Sequence, residues 1–205
     1  MDRALEITGF LVGLLYLYWE YKADWRLWIA SVVMPAISLF VYWRAGLYAD
    51  FGIDIYYLLI AVYGFYVWRR GGGEQHEELP ITRTPRLMWP LLLLAFILIY
   101  LAIAYVLIHF TDSTVPWWDA LNTSLSIVAM WMLARKWVEQ WLVWLVVDAI
   151  SVGLYIYKGI PFYAVLYALY TIIAWFGYRR WLLEMEVRRR KTMFAEADEA
   201  PTTSP

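Results

Sequence analysis

Seven apolar runs, at roughly 5–21, 25–43, 51–68, 87–110, 117–134, 138–157 and 161–181, occupy most of the chain. Each is long enough to cross about 30 Å of hydrocarbon as a helix. The breaks between them are short and carry charges or turn formers: Lys22-Ala-Asp24, Arg44 through Asp50, Thr111 through Pro116, Arg135-Lys136 and Lys158-Gly-Ile-Pro161. The expectation is an all-α integral membrane protein with seven transmembrane helices. Composition agrees, since 63% of the residues are hydrophobic and 17% charged, against roughly 45–50 and about 25 per cent in a soluble domain. The 14 Trp and 17 Tyr are the rings that gather at headgroup level, so most need no ligand to explain them.

Several function classes fall away. With no Cys there is neither a disulfide framework nor a thiolate metal site. A net charge of −1 gives no basic face for nucleic acid. His76 and His109 lack metal-ligand spacing, and no phosphate loop, nucleotide-binding signature or nucleophile elbow is present. Neither an enzyme, a cofactor nor a primary pump is expected. Asn122-Thr-Ser124 matches a glycosylation sequon, but within a span it has no meaning.

Orientation follows from the cations, which are retained in the cytoplasm. Under seven spans, Arg3, Arg44 and Lys158 fall on one side and the other fourteen Lys and Arg on the opposite side. That split places the N-terminus outside and the C-terminus inside; six or eight spans would spoil it. The first run carries Glu6 and no small-residue cleavage site, so it is expected to stay in the mature protein rather than act as a signal peptide.

The chain also matches itself at one constant offset, without gaps. The offset that brings Trp28 onto Trp141 also pairs Ala36 with Ala149, Ile37 with Ile150, Ser38 with Ser151 and Tyr42 with Tyr155. The match continues through Gly46/Gly159, Tyr57/Tyr170, Ile60/Ile173, Ala61/Ala174, Gly64/Gly177 and Trp68/Trp181. Four spans separate the copies, so both triplets cross in the same direction and span 4 is the linker, as in the SWEET sugar transporters. The expected organisation is 3+1+3. Residues 1–70 are the first triplet, 71–114 the linker with its helix, 115–183 the second triplet, and 184–205 a charged, disordered cytoplasmic tail.

Candidate site residues lie on span 6, where Trp141, Trp144, Asp148, Ser151 and Tyr155 follow the three-to-four spacing of one helix face. Asp148 is near mid-span, where an exposed ionised acid costs about 2.5–3.5 kcal/mol, so it should face the bundle interior. Its structural alternative is protonation or a bond to a neighbouring helix. The matching stripe on span 2 is Trp28, Ser31, Pro35, Ser38 and Tyr42, with Pro35 opposite Asp148 in the repeat. Spans 3 and 5 add Asp54, Tyr57, Tyr63, Asn122 and Ser126. A substrate site near mid-membrane is expected from Trp28, Asp54, Asn122, Trp141, Trp144 and Asp148.

The segments Ser126 through Met130, Arg135 through Glu139, Trp141 through Trp144 and Ile150 through Tyr155, with Gly46 through Asp50, Tyr63-Gly64 and Trp68, resemble the PnuC-type nicotinamide riboside transporters. The resemblance runs from Glu6 to Trp181. It implies facilitated uptake across the bacterial inner membrane and trapping of the solute by a cytoplasmic kinase; a homo-oligomer is compatible with it. It also implies that Trp28, Trp141 and Trp144 surround substrate. The chain departs from the family pattern at Met34, Asp54, Ala61 and Asp148, where amides are usual. Cationic nicotinamide riboside and thiamine can both stack on Trp faces, worth about 2 kcal/mol or more when desolvated, and pair with Asp148. Riboflavin, a substrate of relatives, gains less from an acid. A non-transporting membrane scaffold is the alternative from another class.

Overall fold

The computed structural model describes residues 3–45, 48–71 and 79–199. Gly46, the stretch 72–78 with His76, and the Pro-Thr-Thr-Ser-Pro end lie outside the described residues, as do the side chains of Glu6, Met34, Ile37, Ser38, Tyr42, 44–50 and 194–199. Among the described residues are seven helices: α1 (Arg3–Tyr21), α2 (Leu27–Ala45), α3 (Tyr48–Arg70), α4 (Met88–Phe110), α5 (Pro116–Ala134), α6 (Gln140–Tyr157) and α7 (Pro161–Glu199). By length and composition, Phe51–Arg70, Met88–Phe110, Gln140–Tyr157 and Pro161–Met193 can cross a membrane. Helix α5 is less apolar because Asp119, Asn122, Thr123, Ser124 and Ser126 share its 19 residues, and Ser124 and Ser126 are buried within the protein.

The helix ends explain the sharp turns. After α1 the Asp24 N–H donates to Trp19 O at 2.9 Å while Ala23 takes φ 53°. After α5 the Trp137 N–H donates to Met132 O at 3.1 Å while Lys136 takes φ 57°. Both are left-handed helix terminations that satisfy carbonyls of the last turn. Every position in one maps onto its counterpart in the other under the offset that carries Trp28 onto Trp141. Helix α6 ends the same way at Gly159, φ 71°, with Ile160 N–H on Tyr155 O at 2.9 Å. Pro161 then opens α7 and Pro116 opens α5, where a missing N–H costs nothing.

Packing follows the same offset. Helix α2 packs on α1 and α3, and α6 packs on α5 and α7; α3 meets α5 as α7 meets α1, and α4 lies against α5. Trp28 sits edge-on to Trp68 at 5.6 Å and 90°, and Trp141 edge-on to Trp181 at 5.7 Å and 89°. Gly64 and Gly177 leave room for these indoles, since a Cβ at either would collide with Trp28 or Trp141 respectively. Large apolar side chains such as Leu94, Leu98, Leu101 and Tyr105 stay exposed along α4, the face that a hydrocarbon solvent covers.

One feature adds to expectation and a second departs from it. Residues 79–86 are an ordered strap: Thr82 exchanges backbone hydrogen bonds with Lys136 and Val138 at 3.1 and 2.9 Å. The Thr84 N–H and Oγ1 donate to Glu139 Oε2 at 2.7 and 2.9 Å. The tail, expected to be disordered from residue 184, instead continues as α7 to Glu199. Extending a formed helix needs no new nucleus, the added residues are mostly good helix formers, and Glu186 accepts from Arg190 one turn on at 2.7 Å.

Candidate functional site

A cavity of about 290 Å³ lies between the two helix triplets. Helices α1, α2, α3, α5, α6 and α7 all contribute, and four pairs of lining residues are related by the repeat offset: Leu17/Met130, Ser31/Trp144, Pro35/Asp148 and Tyr57/Tyr170. Its remaining wall is Gly13, Tyr16 and Glu20 from α1, Trp141 from α6, and Tyr167 and Ala174 from α7.

The chemistry of this wall is acidic and aromatic. Glu20 and Asp148 are 2% and 6% exposed, and among the described residues neither Lys nor Arg lines the cavity. Burying two carboxylates is costly without compensation, so a cationic or hydroxyl-rich guest is favoured there. The indole N–H groups of Trp141 and Trp144 and Oε1 of Glu20 are buried with no hydrogen-bond partner in the protein. A group of that kind normally loses about 1–3 kcal/mol, so several around one cavity mark a place of solvent or ligand contact. Tyr16 is anchored by donating to Met130 Sδ at 3.8 Å.

The expected site residues separate into two groups. Trp141, Trp144 and Asp148 meet at this cavity, brought together by their spacing of three and four on α6. Trp28 is buried in the core against Trp68 and Gly64 and is not part of the wall. Asn122 lines a second cavity of about 500 Å³ between α4, α5 and α6, where its Nδ2 donates to Ser151 Oγ at 3.1 Å. There Lys158 pairs with Asp119 at 2.8 Å, and Ser113 Oγ donates to the same carboxylate at 2.7 Å. Asp54 is half-buried on α3, one turn before Tyr57. Glu20, Gln140, Tyr16, Tyr167 and Tyr170 were not among the expected residues. The stripe Gly13, Tyr16, Leu17, Glu20 on α1 has the same helical spacing as the α6 stripe and was the available signal.

Apolar helices packed around a half-open, largely apolar cavity that carries two carboxylates are the architecture of a membrane transport protein rather than an enzyme. The chain belongs to the nicotinamide mononucleotide transporter family, whose profile matches residues 3–183. It is 25% identical over 202 residues to the nicotinamide riboside transporter PnuC of Escherichia coli K12, covering 87% of this chain and 84% of that protein. With the riboflavin/roseoflavin transporter RibM of Streptomyces davaonensis it shares 27% identity over 182 residues, at 87% and 84% coverage. A crystal structure of the vitamin B3 transporter PnuC has the same fold, with a TM-score of 0.64 and 21% identity over 85% of this chain and 79% of the other.

Proposed function

We propose that this protein takes up nicotinamide riboside across the bacterial inner membrane by facilitated diffusion, with the solute retained after phosphorylation by a cytoplasmic kinase. The single observation that carries the reading is the cavity between the triplets, which presents Trp141 and Trp144 for a planar ring and Asp148 for its positive charge. Its volume of about 290 Å³ is at the small end of the about 300–1,000 Å³ typical of ligand sites, which suits one nucleoside. All seven helices span the membrane in this reading, as parallel repeats α1–α3 and α5–α7 joined by α4, with the N-terminus outside and the C-terminus inside. The paired contacts of the two triplets support that arrangement. Trp28 braces Trp68 and so holds the α2–α3 wall, and Asn122 and Ser151 join α5 to α6 beside Asp148.

Riboflavin is the second reading, favoured by the likeness to RibM. A three-ring solute fits this cavity less well, and it has no charge for Asp148. Thiamine, a cation, stays close to the first reading. Competition of labelled uptake by nicotinamide riboside, thiamine and riboflavin separates the three, in proteoliposomes without an ion gradient. Nicotinamide riboside is expected to compete most strongly; competition by riboflavin alone would overturn the reading, and uphill uptake driven by sodium or protons would overturn facilitated diffusion.

A further inference from the structure

Glu20 is the least expected residue of the cavity wall. It occupies the last turn of α1, where a negative charge opposes the helix dipole, and it is 2% exposed. Gln140 and Tyr16 interact with the carboxylate, but Oε1 of Glu20 and both amide atoms of Gln140 close no tight hydrogen bond. Such a cluster is unfavourable for folding alone.

The chain contains its own control. Under the repeat offset, Glu20 corresponds to Leu133 and Gln140 to Leu27, and both leucines are fully buried. The backbone around the two sites is the same, down to matching helix terminations and a matching indole donor. Trp181 donates to Glu20 O at 3.2 Å and Trp68 to Leu133 O at 3.3 Å. Leucine therefore satisfies the architecture at these places, and the acid and amide are surplus to it.

Their position along the cavity suggests what they meet. Seven residues separate Gly13 from Glu20 on α1 and Trp141 from Asp148 on α6, a rise of about 10 Å on each helix. Glu20 therefore stands with Gln140 and Trp141 at the inner end, about two turns from Asp148. An aromatic cation held by Trp144 and Asp148 directs its other end to Glu20. A carboxylate accepts two parallel O–H donors, and an adjacent amide both donates and accepts.

We propose that Glu20, assisted by Gln140, is a specificity-determining subsite that reads the vicinal hydroxyls of a ribose. This rests on the nucleoside reading given above. The purified full-length protein is to be titrated calorimetrically with nicotinamide riboside and with its 2′,3′-dideoxy analogue, using wild type, Glu20→Gln and Glu20→Leu. Wild type is expected to prefer the riboside by about 10- to 100-fold, the range of a charge-assisted hydrogen bond. Both variants should reduce that preference to about threefold or less while retaining thermal stability and affinity for the dideoxy compound. An unchanged preference in Glu20→Gln overturns the proposal, as does an equal loss for both ligands, which would mean that Glu20 acts on the ring charge or on architecture. If wild type binds thiamine or riboflavin but neither riboside, the transport reading beneath it falls and takes this inference with it.

Discussion

Trp68 and Trp181 meet with ring centroids 6.2 Å apart, and each sends its indole N–H across to the opposite helix triplet. Trp68 Nε1 donates to Leu133 O at 3.3 Å and Ala134 O at 3.2 Å, and Trp181 Nε1 to Glu20 O at 3.2 Å. Because one offset carries Glu20 onto Leu133 and Trp68 onto Trp181, the two bonds are like interactions made at matching positions. Both acceptors lie in the last turn of a helix, where carbonyls have no partner within the helix. The pair fastens α3 to α5 and α7 to α1 at the end of the cavity where α1 and α5 terminate.

Replacing either Trp with Phe keeps most of the ring and removes the donor. Each substitution should lower stability by about 1 kcal/mol from the lost bond, with a further loss from the smaller ring. Thermal unfolding in detergent should show similar shifts for Trp68→Phe and Trp181→Phe, and a double variant that departs from their sum, since the rings touch. A shift for only one of them would argue against the shared role.

The two glycines should behave alike in stability and differently in transport. A Cβ at Gly177 would come within 2.7 Å of the Trp141 ring, and one at Gly64 would crowd Trp28 still more closely. Gly64→Ala and Gly177→Ala should each cost about 1–3 kcal/mol by overpacking. Only Trp141 borders the cavity. Gly177→Ala should therefore also raise the uptake KM, while Gly64→Ala leaves it near wild type.

The helices were legible in the sequence because apolar length alone specifies a span, and six of the seven expected runs end within a few residues of an observed helix. The exception, α7, continues past the apolar run because Glu, Arg and Ala favour a helix whatever solvent surrounds it. The self-match at one offset was legible because several of its identities sit in like packing: Trp28, Gly64 and Trp68 fit together as Trp141, Gly177 and Trp181 do. Half of the candidate site was legible, since Trp141, Trp144 and Asp148 share one face of one helix. Glu20 was hidden because it sits at a span end beside Lys22, where an acid reads as an interface residue. Gln140 was hidden at the start of the sixth apolar run, where a lone amide reads as an interface residue. The helical face decides Trp28 and Asn122 in the opposite sense: Trp28 turns toward the core and Asn122 toward the second cavity, and a single-helix stripe does not say which neighbour it meets.

Topology has a direct check. If, as proposed, α3 runs inward, the segment before α4 and the end of α7 share the side that holds fourteen of the Lys and Arg. Reporter fusions at Gln75 and at the C-terminus should both give cytoplasmic signals. An external signal at either site would remove the seven-span arrangement.

Asp148 distinguishes charge recognition from helix bracing. It lines the cavity on α6 opposite Pro35, is 6% exposed, and among the described residues has no Lys or Arg beside it in the wall. If its charge balances an aromatic cation, Asp148→Asn keeps the shape and removes the attraction. A charge-assisted contact is worth about 1.5–3 kcal/mol, so the KM for nicotinamide riboside should rise by about tenfold or more, tenfold being about 1.4 kcal/mol. Inhibition of the remaining uptake by neutral riboflavin should change by less than about threefold, since an amide hydrogen-bonds a neutral solute nearly as well as a carboxylate does. If Asp148 instead ties α6 to its neighbours, both solutes should suffer equally and the thermal midpoint should fall. Parallel uptake and unfolding measurements on the one variant therefore separate a residue that selects charge from one that holds helices together.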